Sequence, residues 1–122
     1  MQISSSRAEQ TTIATIQKNT KFIFATSTWE HGKLNPFFAH LFEQMKDLSF
    51  KGKSAGFVGL GDTRYEPVLF CEGIQIVRDL WLQRGGEEIG SMLKIQGEPY
   101  SKLQNVVDPW VDMFYKNLKF YD

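Results

Sequence analysis

The chain's 122 residues carry 14 Lys+Arg against 14 Asp+Glu, and 42% of them are apolar; this suffices for one globular domain spanning 1–122 and leaves little room for a second. Zero formal net charge and a pI near 6.7 give no electrostatic case for nucleic acid or an anionic membrane surface. The single cysteine, Cys71, excludes an intramolecular disulfide framework, no apolar run approaches the ~20 residues of a membrane span, and MQISSSRAEQ has no hydrophobic signal core, so the expected compartment is the cytoplasm.

The first twenty residues are polar, with a weak helical stretch over Thr12 to Gln17 that offers only Ile13 and Ile16 for burial. The run Lys21 to Thr26 (KFIFAT) is apolar without alternation and reads as a strand covered on both faces. It leads into a polar loop, Ser27 to Lys33, that contains one large aromatic, Trp29. Asn35-Pro36 then supplies a helix cap and first position, and Phe38, Leu41, Phe42 and Met45 give the helix its apolar stripe up to about Asp47. Ser54 to Leu60 (SAGFVGL) is a second buried strand whose small residues suggest close approach of a helix or ligand, and the loop Gly61 to Pro67 follows. A helix is expected from about Phe70 to Arg84, stopped by Gly85-Gly86. The third strand is expected from Glu88 to Ile95, and Asp108-Pro109 restarts a helix with Trp110, Met113, Phe114 and Leu118 on its apolar side. Strands alternating with helices argue for βαβ units and a parallel sheet.

In an open parallel sheet ligands bind beyond the carboxyl ends of the strands. Both unusual loops lie at such ends: the first holds Thr26, Ser27, Thr28 and Trp29, the second Gly61, Asp62 and Tyr65. Two rings on neighbouring loops could sandwich a flat heteroaromatic; they could equally do no more than cover the sheet end. His31 and His40 lack paired ligands, so no metal is expected.

The segments ATSTWEHGKLNPFFAHLFEQM, FVGLGDTRYEPVLFCEG and GSMLKIQGEP together resemble the flavodoxin family of small FMN-binding electron carriers, over about Phe22 to Leu118. The resemblance implies a flavodoxin-like α/β/α three-layer fold around a parallel sheet. It also implies that Trp29, in an S/T-x-T-W loop, and Tyr65, in a G-x-G-D-x-x-Y loop, stack on the two faces of the flavin. Ser27, Thr28, Leu60, Gly61 and Asp62 would bond the ring edge through backbone groups, with Thr26 at the base of the first loop, and Phe70 and Cys71 fall where the family has FC and would close the pocket. Asp62 then shapes its loop, and Cys71 is read as a small buried hydrophobe rather than a reactive thiol. With no long insertion between Ile89 and Ile95, the chain is similar to the short-chain members. The implied role is one-electron transfer to redox partner proteins by bound FMN, not catalysis on a substrate.

Three departures from the family qualify this reading. No hydrophobic strand with a T/S-x-T-G-x-T phosphate loop precedes Phe22. Ser4 to Thr12 is therefore either the loop after the family's second strand, the first strand and phosphate loop being missing, or a makeshift phosphate loop after a stub at Met1-Gln2-Ile3. Either way the sheet is incomplete at its N-terminal strands, and the strand at Phe22 to Thr26 is left with an edge that calls for a partner. That partner would be the N-terminal residues, another copy in a homodimer or domain swap, or a complementing chain. Glu30 stands where many members have glycine, and the neutral net charge contrasts with the acidic character of the family. A flavodoxin-like interaction module without flavin is the alternative function, and an FMN-dependent reductase is weaker, since nothing resembles a nicotinamide site.

Overall fold

The computed structural model describes residues 3–29, 33–62 and 71–118. After a 3₁₀ turn at Ala8–Gln10, the chain forms α1 (Ile13–Lys18), β1 (Lys21–Trp29), β2 (Lys33–Leu34), α2 (Pro36–Met45), β3 (Ser54–Gly61), α3 (Glu72–Gln83), β4 (Glu87–Glu88), β5 (Leu93–Gln96) and α4 (Asp108–Leu118).

β1 and β3 pair in parallel from Lys21↔Ser54 to Ser27↔Leu60, and β4 and β5 both pair in parallel with β3, at its beginning and end respectively. The three expected strands are therefore parallel, with expected helices on both faces. The third is not continuous: its ladder opens over Ile89 to Met92, where Gly90 takes a positive φ of 66° and the Trp110 indole donates to the Ser91 carbonyl at 2.7 Å. A left-handed glycine turns the chain out of the sheet, and α4 takes up a carbonyl freed there. β1 also runs further than expected, through Trp29, because β2 folds back on it with Thr28↔Leu34 and Trp29↔Lys33; Ser27 to Trp29 are strand rather than loop.

Strand alternation sorts side chains into two cores. Phe24, Ala55 and Phe57 face α2 and α3 together with Ile16, Phe38, Leu41, Met45, Phe50, Ile74, Val77 and Trp81. Trp81 anchors this layer, stacked on Phe50 with ring centroids 4.4 Å apart and donating its indole N–H to the Glu87 carbonyl at 2.9 Å. On the other face Trp110, Phe114 and Leu118 of α4 pack with Ile89, Leu93, Ile95 and the half-buried Val58 and Leu60. Gly56 makes this packing feasible: a Cβ there would lie 2.6 Å from the Phe114 ring.

The helix boundaries follow local chemistry. Asn35 caps α2 by accepting from the Phe37 amide at 2.9 Å, with Pro36 in the first position. Phe42, expected in its buried stripe, is only half-buried and lies under the Lys46 ammonium, 5.2 Å from the ring centroid. α3 stops where Gly86 N–H bonds to the Trp81 carbonyl at 2.9 Å and Gly85 takes φ 94°. α4 does not restart at Asp108-Pro109: it continues a five-residue π-helical turn, Leu103–Val107, so Asp108 is helical and not a cap.

At the N-terminus Thr12 caps the short α1, and the described residues ahead of it form the 3₁₀ turn and no strand. Ser4 to Thr12 is thus a connecting segment leading into α1. It is not the expected second partner of β1, whose Lys21 to Ser27 stretch has its ladder on the β3 side alone among the described residues.

Candidate functional site

The in-register pairs Ser27↔Leu60 and Gly61↔Gln96 bring the carboxyl ends of β1, β3 and β5 side by side. The expected site residues Thr26, Ser27, Thr28, Leu60, Gly61 and Asp62 converge there. Trp29 joins them as a strand residue whose backbone is held by β2; its side chain, and Tyr65 and Phe70 entirely, lie outside what is described, so the ring sandwich is a matter for experiment.

The polar side chains at this end are largely engaged with one another. Asn35 Nδ2 donates to Ser27 Oγ at 2.9 Å, so the residue that caps α2 also ties that helix to β1. Thr28 Oγ1 accepts from the Gly73 amide at 2.8 Å. α3 begins after Cys71, which supplies no side-chain cap; the Thr28 hydroxyl, reaching across from β1, satisfies one of the amides that a helix start leaves unpaired. Glycine at 73 permits that approach, since a Cβ would sit 2.9 Å from the Ser27 carbonyl oxygen. Gln96 Nε2 donates to Asp62 Oδ1 at 3.1 Å, and the Gly97 amide, at φ 70°, donates to the Gly61 carbonyl at 2.7 Å. These bonds fix the Gly61–Asp62 turn against β5.

Cys71 is fully buried and left-handed, φ 57°, and its Sγ would lie 3.3 Å from a Cβ placed on Gly59. Burial pushes its thiol above the ordinary value, partly offset by the Lys94 charge and a hydrogen bond with the Ile95 backbone. It packs beneath the site as a small hydrophobe.

Asn35, Gly73 and Gln96 escape a reading by motif. Asn35 is legible only as a cap, Gly73 only as one residue of a helix face and Gln96 only as the first residue of the turn after the third strand; their second roles depend on contacts made over 8, 45 and 34 residues.

The flavodoxin family model matches residues 2–110. A probable flavodoxin 2 of Bacillus subtilis (strain 168) is 35% identical over 77 residues, 63% of this chain and 50% of that protein, so the chain spans about half the length of that curated relative. Among solved structures, a short-chain flavodoxin associated with a PDU bacterial microcompartment superposes with a TM-score of 0.81 at 19% identity, over 94% of this chain and 75% of that one. The Fusobacterium nucleatum flavodoxin bound to flavin mononucleotide superposes with a TM-score of 0.74 at 20% identity, over 90% of this chain and 77% of that one. With the motif-bearing strand ends side by side in a parallel α/β sheet and the family model matched over most of the chain, this chain belongs to the flavodoxin family.

Proposed function

We propose that this chain holds the isoalloxazine ring of FMN at the carboxyl ends of β1, β3 and β5 and exchanges single electrons with redox partner proteins, without itself transforming a substrate. The observation that carries this reading is the adjacency of Ser27, Leu60, Gly61 and Gln96 at one sheet end, with Trp29 and Tyr65 one loop length away in sequence. The bound flavin supplies the electron chemistry. The protein's part is to bind and orient: the Ser27–Thr28 and Leu60–Asp62 backbones line the ring edge, and the Asn35–Ser27, Gly73–Thr28 and Gln96–Asp62 bonds keep those backbones from rearranging. Trp29 and Tyr65 cover the two ring faces, and Phe70 and Cys71 close the pocket behind them.

Absorbance of the purified protein and titration of the apoprotein with FMN, followed by loss of flavin fluorescence, test this. The expected outcome is a yellow protein whose flavin takes up two electrons in separate steps, with Trp29→Ala and Tyr65→Ala each weakening FMN at least tenfold (~1.4 kcal/mol). A folded, colourless protein that leaves FMN fluorescence unchanged would replace this reading with the interaction module.

A further inference from the structure

β5 ends at Gln96, and the chain that follows lies against the Gly61–Asp62 turn, because the Gly97 amide bonds to the Gly61 carbonyl at 2.7 Å. Its backbone is closely tied. The Glu98 carboxylate accepts from the Tyr100 and Ser101 amides, and the Lys102 amide donates to the Pro99 carbonyl at 3.0 Å. Tyr100–Lys102 is a 3₁₀ turn that runs into the π-helical Leu103–Val107, whose Val106 and Val107 pack against the α4 core. Side chains three apart in a 3₁₀ turn eclipse one another, so Tyr100 and Leu103 share one side of it. They are 81% and 47% exposed: an apolar pair held out to solvent on a bonded backbone, at the sheet end that carries the candidate site. Charge around the pair is nearly balanced. Among the described residues at this end, Asp62, Glu72 and Glu98 stand against Lys94 and Lys102, and the chain as a whole carries no net charge. The Asp62 and Glu98 carboxylates are already bonded, to Gln96 and to the two amides.

We propose that Tyr100 and Leu103 form the platform on which a redox partner seats beside the ring site, and that this partner is a protein whose own contact face is apolar and near neutral. The role rests on the reading that the strand ends hold flavin, since that reading puts the ring edge at Gly61–Asp62, next to the platform. The partner's chemistry follows from charge and exposure. Electrostatic steering needs one sign of charge to dominate the docking face, and here neither does. A strongly charged partner would find no complement and would desolvate its charges against Tyr100 and Leu103. An apolar face has no such cost. Tyrosine gives a large contact area with only two torsions to fix, and the bonds of the Glu98–Ser101 turn reduce the ordering that docking requires. Two side chains make a small contact, which suits the brief encounters of electron transfer.

The test loads the 122-residue chain with FMN, reduces it with dithionite and follows its reoxidation in stopped flow by two protein oxidants of opposite surface charge. Cytochrome c presents a basic face and plastocyanin an acidic one; each takes one electron from the reduced flavin, Fe(III) becoming Fe(II) and Cu(II) becoming Cu(I). Both rates are expected to change less than threefold between about 20 and about 300 mM ionic strength, a range that screens charge steering. Tyr100→Ser and Leu103→Ser should each slow both oxidants at least fivefold with FMN affinity and flavin absorbance unchanged, whereas Leu82→Ser, exposed near the far end of α3, should leave the rates as they are. Three outcomes would overturn the proposal and leave the flavin reading intact. The first is a rate that falls steeply with salt for one oxidant and rises for the other, the mark of a charged docking face. The second is unchanged rates in the flavin-loaded Tyr100 and Leu103 variants. The third is a stable homodimer in analytical ultracentrifugation that Tyr100→Ser dissolves, which would give the platform to a second copy of this chain. A chain that takes up no FMN overturns both readings, and is recognised before any oxidant is added.

Discussion

Thr28 shows how one side chain can couple two elements that sequence keeps far apart. Its hydroxyl is the acceptor for an α3 amide that Cys71 leaves uncapped, so replacing Thr28 by valine keeps the shape and removes the bond. Thr28→Val is expected to lower stability by about 1 kcal/mol, measured as a lower urea midpoint at unchanged slope. Cys71 provides a pH test of the burial beneath the site. Its thiol is raised by desolvation above the ordinary 9.0, so near and above that pH the folded state holds a proton that the unfolded chain has released. The resulting stabilisation is complete below the unfolded thiol's pKa and is lost as pH rises through the folded one. Urea melts at pH 8 and pH 10 should therefore show a larger loss for the wild type than for Cys71→Ala, a comparison in which the other titrating groups cancel. Equal losses would mean that the thiol is not desolvated.

At the scale of elements, Gly56 and Gly90 act oppositely on the sheet. Gly56 lets α4 settle on β3; an added methyl would meet the Phe114 ring at 2.6 Å, with the Trp110 ring 3.0 Å away. Gly56→Ala is expected to cost roughly 1–3 kcal/mol, visible as a lower thermal midpoint and as loosened near-UV signals from Trp110. Gly90, at φ 66°, opens the third strand into β4 and β5. This contrast shows what was legible in the sequence. The strand runs KFIFAT and SAGFVGL, the Asn35-Pro36 helix start and the Gly85-Gly86 stop are local signals, and they place their elements to within a few residues. The break at Ile89 to Met92, the fold-back of β2 and the π-helical entry to α4 depend on partners distant in sequence, such as Trp110 donating to Ser91, and no local pattern announces them. The candidate site divides the same way: Ser27, Thr28, Leu60, Gly61 and Asp62 were legible as strand-end residues, whereas the bonds that hold them run to Asn35, Gly73 and Gln96.

For the whole molecule, the proposed flavin site divides into a ring part and a phosphate part. The ring part would lie at the ends of three parallel strands that the described sheet holds in register. A phosphate monoester needs clustered amides, hydroxyls or cations; here the Gly73 amide is taken up by Thr28 Oγ1, and the Ser27 and Thr28 hydroxyls, acceptors in these bonds, offer one O–H donor each. Ser4 to Thr12, the other hydroxyl-rich stretch, is turned toward its own contacts: Ser6 Oγ bonds Thr11 Oγ1, Thr11 Oγ1 donates to the Arg7 carbonyl and Thr12 caps α1. The 122-residue chain should accordingly bind riboflavin and FMN with similar affinity, because the two ligands share the ring and differ by the phosphate. Parallel fluorescence titrations of the apoprotein with each ligand measure the ratio directly, and raising the salt concentration should leave it unchanged, since a phosphate held by charge would be screened. An FMN affinity a hundredfold above that of riboflavin, equivalent to ~2.7 kcal/mol, would show that Ser4 to Thr12 opens its internal bonds to cradle the phosphate, and would move the anion site to the groove that this segment forms with Ala25 and Thr26.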